Sequence, residues 1–251
     1  MIIAHRGASY LAPENTMAAI NLAWEGDADA IEVDVHLSKD NVIVVIHDEN
    51  TLRTGGRDSL VADQTLKELK QLDFGVYKDK KWAGERIPTL DEVVRTVPKN
   101  KTVFIEIKCG KEIIPVLENE IYNSGLLAEQ VVIIGFDRDV MRELKKALPE
   151  FIVLLLFEME KESISGRWVP DIDEMLLQAK NAGMDGLDVL GCEYVDDDFA
   201  RKVKSHDMKL YVWTVDHPQE ARRLIDAGVD GITTNRPKWL KAKLFESAAT
   251  D

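Results

Sequence analysis

Cysteine is nearly missing from this 251-residue chain, where only Cys109 and Cys192 occur. Two thiols allow one bridge at most, which excludes a disulfide framework and suits a reducing compartment. Long apolar runs are absent too: no stretch reaches the roughly 20 residues that a membrane helix needs, so stable membrane insertion is excluded as an expectation. Basic residues are outnumbered, 32 Lys and Arg against 45 Asp and Glu, for a formal net charge of -13. That sign argues against nucleic acid or an anionic membrane surface as partners, since both are gripped by clustered Lys and Arg. Any phosphate must then be met locally, by individual cations. No charged leader or signal-length apolar segment precedes the first strand at Met1-Ile2-Ile3-Ala4-His5, and a cytoplasmic location is the default expectation. Nothing in the composition specifies an oligomeric state.

What is present is alternation. Short β-branched runs near 2–5, 29–35, 41–46, 102–107, 130–135, 151–156, 185–190, 209–214 and 230–234 are interleaved with helical patterns near 15–25, 111–124, 138–148, 172–182, 197–205, 218–227 and 237–247. Repetition of strand, helix and strand predicts parallel pairing with the helices outside. If the runs near 29 and 41 form one bent or split element, about eight βα units result, the number that closes a (β/α)₈ TIM barrel of typically about 250 residues. Ala182-Gly183-Met184-Asp185-Gly186-Leu187 recurs as Ala227-Gly228-Val229-Asp230-Gly231-Ile232, with Gly26-Asp27-Ala28-Asp29-Ala30-Ile31 a looser copy. Each places a glycine where a helix ends and then turns into a buried strand.

Residues 48–101 break this rhythm with turn residues at Thr54-Gly55-Gly56-Arg57-Asp58-Ser59 and two Thr-x-x-Glu patterns, at Thr65 and Thr89, that can cap short helices. No low-complexity stretch or linker appears. The expectation is one domain over 1–251 carrying a small insertion at about 48–101, after the second strand and over the end of the barrel where active sites are built.

Polar residues gather at the ends of the early apolar runs. In Ala30-Ile31-Glu32-Val33-Asp34-Val35 the two acids share one face of a strand and the aliphatic residues take the other. The same parity in Phe104-Ile105-Glu106-Ile107-Lys108 puts an acid and a base together. In a barrel, His5, Asp34, His47 and Lys108 all fall at or just past C-terminal strand ends and converge on one mouth. Three carboxylates there would repel and lose hydration, at several kcal/mol per buried ion. A divalent cation removes that penalty, and oxygen donors without thiolates favour Mg²⁺, Ca²⁺ or Mn²⁺ over zinc. Two histidines can hold one proton between them near neutral pH, while Arg6 and Lys108 can grip phosphoryl oxygens. Together these groups suit phosphoryl transfer better than acyl or hydride transfer.

With His5-Arg6-Gly7, Pro13-Glu14-Asn15-Thr16, Glu32-x-Asp34-Val35, His47-Asp48, Gly84-Glu85-Arg86-Ile87-Pro88-Thr89-Leu90, Glu106-Ile107-Lys108, Val212-Trp213-Thr214-Val215 and Gly231-Ile232-Thr233-Thr234-Asn235-Arg236-Pro237, the chain resembles the glycerophosphodiester phosphodiesterase family over nearly its whole length. The resemblance implies a (β/α)₈ barrel with a small insertion. It also implies metal ligation by Glu32, Asp34 and Glu106, acid and base roles for His5 and His47, and phosphate contacts from Arg6 and Lys108. Trp213, whose parity matches Tyr211, would line the substrate pocket. The implied substrate is a small glycerophosphodiester, such as glycerophosphocholine or glycerophosphoethanolamine, cleaved to sn-glycerol 3-phosphate and an alcohol.

Some assignments stay open at this level. Our sequence reading takes His47 as the first base and His5 as the acid, and leaves attack by the glycerol 2-hydroxyl, through a cyclic phosphate, beside direct attack by water. Glu158 and Asp188 receive no role; His36 is expected outside the metal ligands, and His206 and His217 at the surface. A related enzyme class would act on lysophospholipids or phosphoinositides, with Phe74, Tyr77 and Trp82 forming an apolar entrance. Schiff-base chemistry at Lys108 leaves the histidines unexplained. A barrel kept only for binding would not need every one of these motifs.

Overall fold

Runs rich in Val, Ile and Leu form the strands, as their branched side chains favour. In the computed structural model, which describes residues 1–246, eight of them close into a parallel ring. In chain order they are Ile2–His5, Ala30–Leu37, Thr102–Ile107, Val131–Gly135, Ile152–Phe157, Gly186–Leu190, Lys209–Trp213 and Gly231–Thr234. The first strand pairs with both the second and the eighth, which seals the barrel. Helices begin where the sequence supplies caps: Thr16 accepts from the Ala19 N–H, Asp137 from Asp139 and Val140, and Asp196 from Phe199. The last helix is Pro237–Glu246, so position 247 of its expected span lies outside the described residues.

Parity divides each strand between two cores. Ile31, Val33, Ile105, Ile133, Val153 and Leu155 face outward and are covered by the helices. Ile3, Ala30, Phe104, Val132, Ile134, Leu154, Leu156 and Tyr211 face inward and fill the ring. Phe104 and Tyr211 meet edge to face at 5.1 Å and 71°. Burying a side chain such as Phe104 contributes roughly 1.5–3 kcal/mol. The barrel is therefore plugged, and the next inward position on each strand stands on an apolar floor.

The repeated joints have a shared purpose. Gly183 and Gly228 end their helices at φ +75° and +98°, a conformation that favours glycine. The aspartate that follows each of them accepts an N–H at the start of the neighbouring strand: Asp185 from Val153 at 2.8 Å and Asp230 from Leu210 at 2.7 Å. The looser copy does the same, Asp29 accepting from Ile2 at 2.8 Å. A lysine backs each carboxylate, Lys145, Lys204 and Lys241 respectively. Asp185→Ala is expected to lower the unfolding free energy by about 1–3 kcal/mol, because the Val153 N–H loses its partner. Turnover should be unchanged, since this joint lies at the strand N-terminus, opposite the mouth. Urea denaturation beside kinetics checks this; an unmoved midpoint would remove the latch role.

Two features differ from expectation. The runs near 29 and 41 are not one bent element: Ile43–Val45 is a separate strand, paired antiparallel to the end of the second strand from Val35↔Val45 to Leu37↔Ile43. It sits outside the ring, so the count of eight holds because it is an appended hairpin arm. After the fifth strand, Glu160–Lys161 and Trp168–Val169 form a small antiparallel pair, whose two-residue strands are too short to show an alternating signal.

The insertion has its own apolar cluster of Val61, Leu69, Leu72, Phe74 and Ile87, packed on Val44 and Ile46 of the hairpin. Both expected capping boxes form, at Thr65 and Thr89. Its Arg53, Tyr77 and Lys78 reach the rim of the mouth, where they bond Asp48 and Glu14, the Glu14 N–H and the Ser9 carbonyl. No helix among the described residues is long and apolar enough to cross a membrane.

Candidate active site

Above the apolar floor the inward positions turn polar. Register sets His5 beside Glu32 and Asp34 beside Glu106 on adjacent strands. His5, Glu32 and Glu106, with Arg6, His47, Lys108, Asp188 and Trp213, line a cavity of about 260 Å³. Asp34 lies beneath it, fully buried.

One oxygen each from Glu32, Asp34 and Glu106 lies within 4.8 Å of the others. Glu32 Oε2 accepts the Arg6 N–H at 2.9 Å and Asp34 Oδ2 accepts from Asn15 Nδ2 at 2.8 Å. Glu32 Oε1 and Asp34 Oδ1 are buried without any hydrogen-bond partner. Burial, then the neighbouring Asp34 and Glu106 charges, raise Glu32 far above the usual carboxylate range. Burial and Asp34 also push Glu106 up to about 7, against the pull of Lys108 at 2.8 Å. Such unpartnered, mutually repelling oxygens fit a hard divalent cation, which would neutralise the cluster and occupy the free lone pairs. The three residues could hold a metal ion.

The backbone is strained here as well. Arg6 and Asn15 adopt φ +55° and +56°, which non-glycine residues rarely do. Gly7, at φ +79°, presses so close to the following helix that a Cβ would lie 2.6 Å from the Ala19 carbonyl carbon. This turn aims the Arg6 amide at Glu32 while its guanidinium contacts Glu14 at 2.8 Å and Asp34 at 3.1 Å. The Arg6 Nε to Asp34 approach is a charge contact, not a formed hydrogen bond.

The two histidines have different surroundings. His5 Nδ1 lies 2.8 Å from Asn235 Oδ1, and burial followed by the Arg6 charge lowers its pKa. His47 Nδ1 instead meets the Asp48 carboxylate at 2.7 Å, and Lys108 Nζ stands 3.2 Å from His47 Nε2. Arg53 clamps Asp48 through two nitrogens and also bridges to Glu14. Burial would raise Glu14, but hydrogen bonds from Arg53 and Arg6 bring it down to about 2. His36 is buried outside the cavity, its Nε2 3.1 Å from the His47 carbonyl, while His206 and His217 are exposed.

The aromatic wall is Trp213 against Phe136, edge to face at 5.8 Å, with Trp213 Nε1 donating to the Asp188 carbonyl at 3.3 Å. Every site residue read from the sequence is thus at or beside the mouth. Several others were missed. Asp188 is 1 % exposed with Oδ1 unpartnered, and burial, then Glu106, keep it far above its ordinary pKa. Its signal was parity, two residues along from Gly186. Phe136 lies just past the fourth strand, and Asn235 just past the eighth, where the same strand-end rule applies. Arg53 and Asp216 had no local signal. Of the three aromatic residues expected at an apolar entrance, Phe74 is buried in the insertion core and Tyr77 spends its hydroxyl on Glu14.

Comparison with known proteins agrees with this geometry. The family model for the glycerophosphoryl diester phosphodiesterase family matches residues 5–239. A glycerophosphodiester phosphodiesterase of Caldanaerobacter subterraneus is 38% identical over 96% of this chain and 96% of its own length. One from Bacillus subtilis is 30% identical over 94% of this chain and 84% of its own. Among solved structures, an Oleispira antarctica phosphodiesterase in complex with the product sn-glycerol-3-phosphate superposes with a TM-score of 0.85 at 26% identity, covering 98% of this chain and 96% of that one.

Proposed function

Because the chain belongs to the glycerophosphodiester phosphodiesterase family, and is therefore a phosphodiester hydrolase, we propose that it cleaves small, water-soluble glycerophosphodiesters to sn-glycerol 3-phosphate and an alcohol, with a divalent cation and two histidines. The observation that carries this reading is the convergence, in one cavity of about 260 Å³, of a carboxylate cluster with two orphaned oxygens, two differently paired histidines and two cations. Glu32, Asp34 and Glu106 would hold the cation, and the all-oxygen donor set favours Mg²⁺, Ca²⁺ or Mn²⁺. Bound there, it would supply charge neutralisation for the phosphoryl oxygens, worth several kcal/mol in a transition state.

The histidine roles we assign reverse the order read from the sequence. His5 is paired at Nδ1 with a neutral amide oxygen and has a lowered pKa, so it is the neutral base, with its lone pair on Nε2. His47 is paired at Nδ1 with a carboxylate, which orients the ring with Nε2 towards the cavity, and we give it the acid's role. His5 takes the proton of the glycerol 2-hydroxyl as its oxygen bonds to phosphorus. The bond from phosphorus to the alcohol oxygen breaks, and His47 protonates that alkoxide. Water then opens the cyclic phosphate with the roles exchanged, His47 accepting its proton and His5 returning one to the 2-oxygen. A protonated His47 Nε2 cannot accept from an ammonium, so Lys108 turns from it to the phosphate oxygens, joined by Arg6. Trp213 and Phe136 wall the substrate. We keep the cytoplasmic expectation as part of this reading, supported by two unpaired cysteines.

The test is release of glycerol 3-phosphate from glycerophosphocholine and glycerophosphoethanolamine with each divalent ion, beside micellar lysophospholipid. We expect activity on the soluble diesters that EDTA abolishes and metal restores. Full activity in EDTA would refute the metal role, and a preference for micelles would move the reading to the lipid class.

A further inference from the structure

His5 does not choose its own proton position. Its Nδ1 partner, Asn235, is an amide, and an amide can present either an acceptor or a donor depending on how it is turned. The turn is decided one residue further out. Asp216 Oδ1 accepts the Asn235 N–H at 2.8 Å and the Thr234 hydroxyl at 2.7 Å, while its Oδ2 accepts from Asn235 Nδ2 at 2.8 Å. Partial burial would raise Asp216, but hydrogen bonds from Asn235 and Thr234 hold it below its ordinary pKa, so it is an acceptor only. The amide NH₂ must face it. Asn235 Oδ1 is thereby turned to His5 at 2.8 Å, and the Ser9 hydroxyl donates to the same oxygen at 3.0 Å.

We propose that Asp216, acting through the Asn235 amide, is a positioning residue that locks His5 as the Nδ1–H tautomer and so reserves Nε2 as the proton acceptor in the cavity. The proposal rests on the phosphodiesterase reading above only for its kinetic consequence; the tautomer itself does not. Neither Asp216 nor Asn235 is among the proposed metal ligands, and the chain spans 230 residues between the two ends of the contact.

The pairing can be reversed. In Asp216→Asn the new NH₂ faces the NH₂ of Asn235, so Asn235 turns over, offers a donor to His5 Nδ1 and moves the imidazole proton to Nε2. We expect kcat to fall about 10²- to 10⁴-fold with KM changed less than about threefold, the loss that follows when a general base is held in the wrong tautomer. The double variant Asp216→Asn/Asn235→Asp exchanges amide and carboxylate, so that the introduced carboxylate would accept from both the introduced amide and His5. It should recover the Nδ1–H tautomer and most of kcat, read at the plateau of its own pH profile.

The measurement is ¹⁵N NMR of the full chain labelled at histidine, in which protonated and unprotonated ring nitrogens are separate, run beside kinetics on glycerophosphocholine. An Nε2–H tautomer in the unaltered protein, an Asp216→Asn protein that keeps Nδ1–H, or a double variant no better than Asp216→Asn would each overturn the proposal. A merely structural role predicts that the two substitutions add instead of compensating. If the unaltered protein failed to turn over any glycerophosphodiester, the functional reading would fall while the NMR arm still decided this one.

Discussion

Glu32→Gln is expected to lose about 10³-fold in glycerophosphodiester turnover and yet to be more stable than the unaltered protein when both are held in EDTA. The rate loss follows from several kcal/mol of charge stabilisation supplied through a three-carboxylate ion site, at about 1.4 kcal/mol per tenfold. The gain in EDTA follows from the cluster itself. Glu32 Oε1 and Asp34 Oδ1 are buried with no donor, and the three carboxylates lie within 4.8 Å. Glutamine removes one charge and puts an NH₂ in place of the orphaned Oε1, a donor for the orphaned Asp34 Oδ1.

The pH dependence carries the same sign. Glu106 moves from an ordinary 4.5 up to about 7, so without metal the folded protein keeps a proton that the unfolded chain has released. Between about pH 4.5 and 7 the folded state therefore binds more protons, and stability falls as pH rises, by at most roughly 3 kcal/mol. Saturating Mg²⁺ should reverse the ranking. A ligand at 100 times its Kd adds about 2.7 kcal/mol to the folded state, which the Gln variant would largely forgo. Urea titrations at pH 5 and pH 8, with EDTA or with Mg²⁺, check each limb. A Glu32→Gln protein that kept a tenth of its activity, or was less stable than the unaltered one in EDTA, would refute the ion site.

The carboxylate cluster was legible in the sequence because a strand has a strict period of two. Once Glu32 and Asp34 sit on the charged face of an otherwise aliphatic run, closure of the barrel leaves them one direction to point. The same rule covers Glu106, Lys108 and Trp213, and it would have caught Asp188 and Asn235 had every strand end been read alike. The joints were legible for a different reason: a glycine at a helix end and an aspartate two residues later repeat in the chain.

What could not be read was whatever depends on the partner of a side chain. His5 and His47 look equivalent in the sequence. They differ only because one meets an amide from the eighth strand end and the other a carboxylate beside it in the chain, and it is this difference that reverses the order of roles we propose for them. Arg53 illustrates the same limit, since a cation in a turn-rich insertion has no period to place it, yet it binds both Asp48 and Glu14. The hairpin arm Ile43–Val45 reads as part of a barrel strand because three residues are too few to show a change of direction.

The second large effect separates the two histidines by the leaving group. On glycerophosphocholine, His5→Ala and His47→Ala should each lose about 10²- to 10⁴-fold in kcat, the usual contribution of a positioned acid or base. On a glycerophosphodiester of 4-nitrophenol the expectation splits. Nitrophenolate departs without needing a proton, so removing the acid costs little in that first step, and His47→Ala should release nitrophenolate in a burst near the rate of the unaltered protein while the water step, for which His47 is the base, stays slow. Removal of the base still leaves the 2-hydroxyl protonated, so His5→Ala should stay depressed on both substrates. The pairing supports this direction: Asp48, clamped by Arg53, is held below its ordinary pKa and sets a negative charge against His47 Nδ1, whereas Asn235 offers His5 no charge. The burst of nitrophenolate release by each variant, beside steady-state kinetics on glycerophosphocholine, would decide it. Rescue of His5→Ala but not His47→Ala by the aryl leaving group would restore the opposite assignment, and rescue of neither would mean that proton donation to the leaving group is not what His47 supplies.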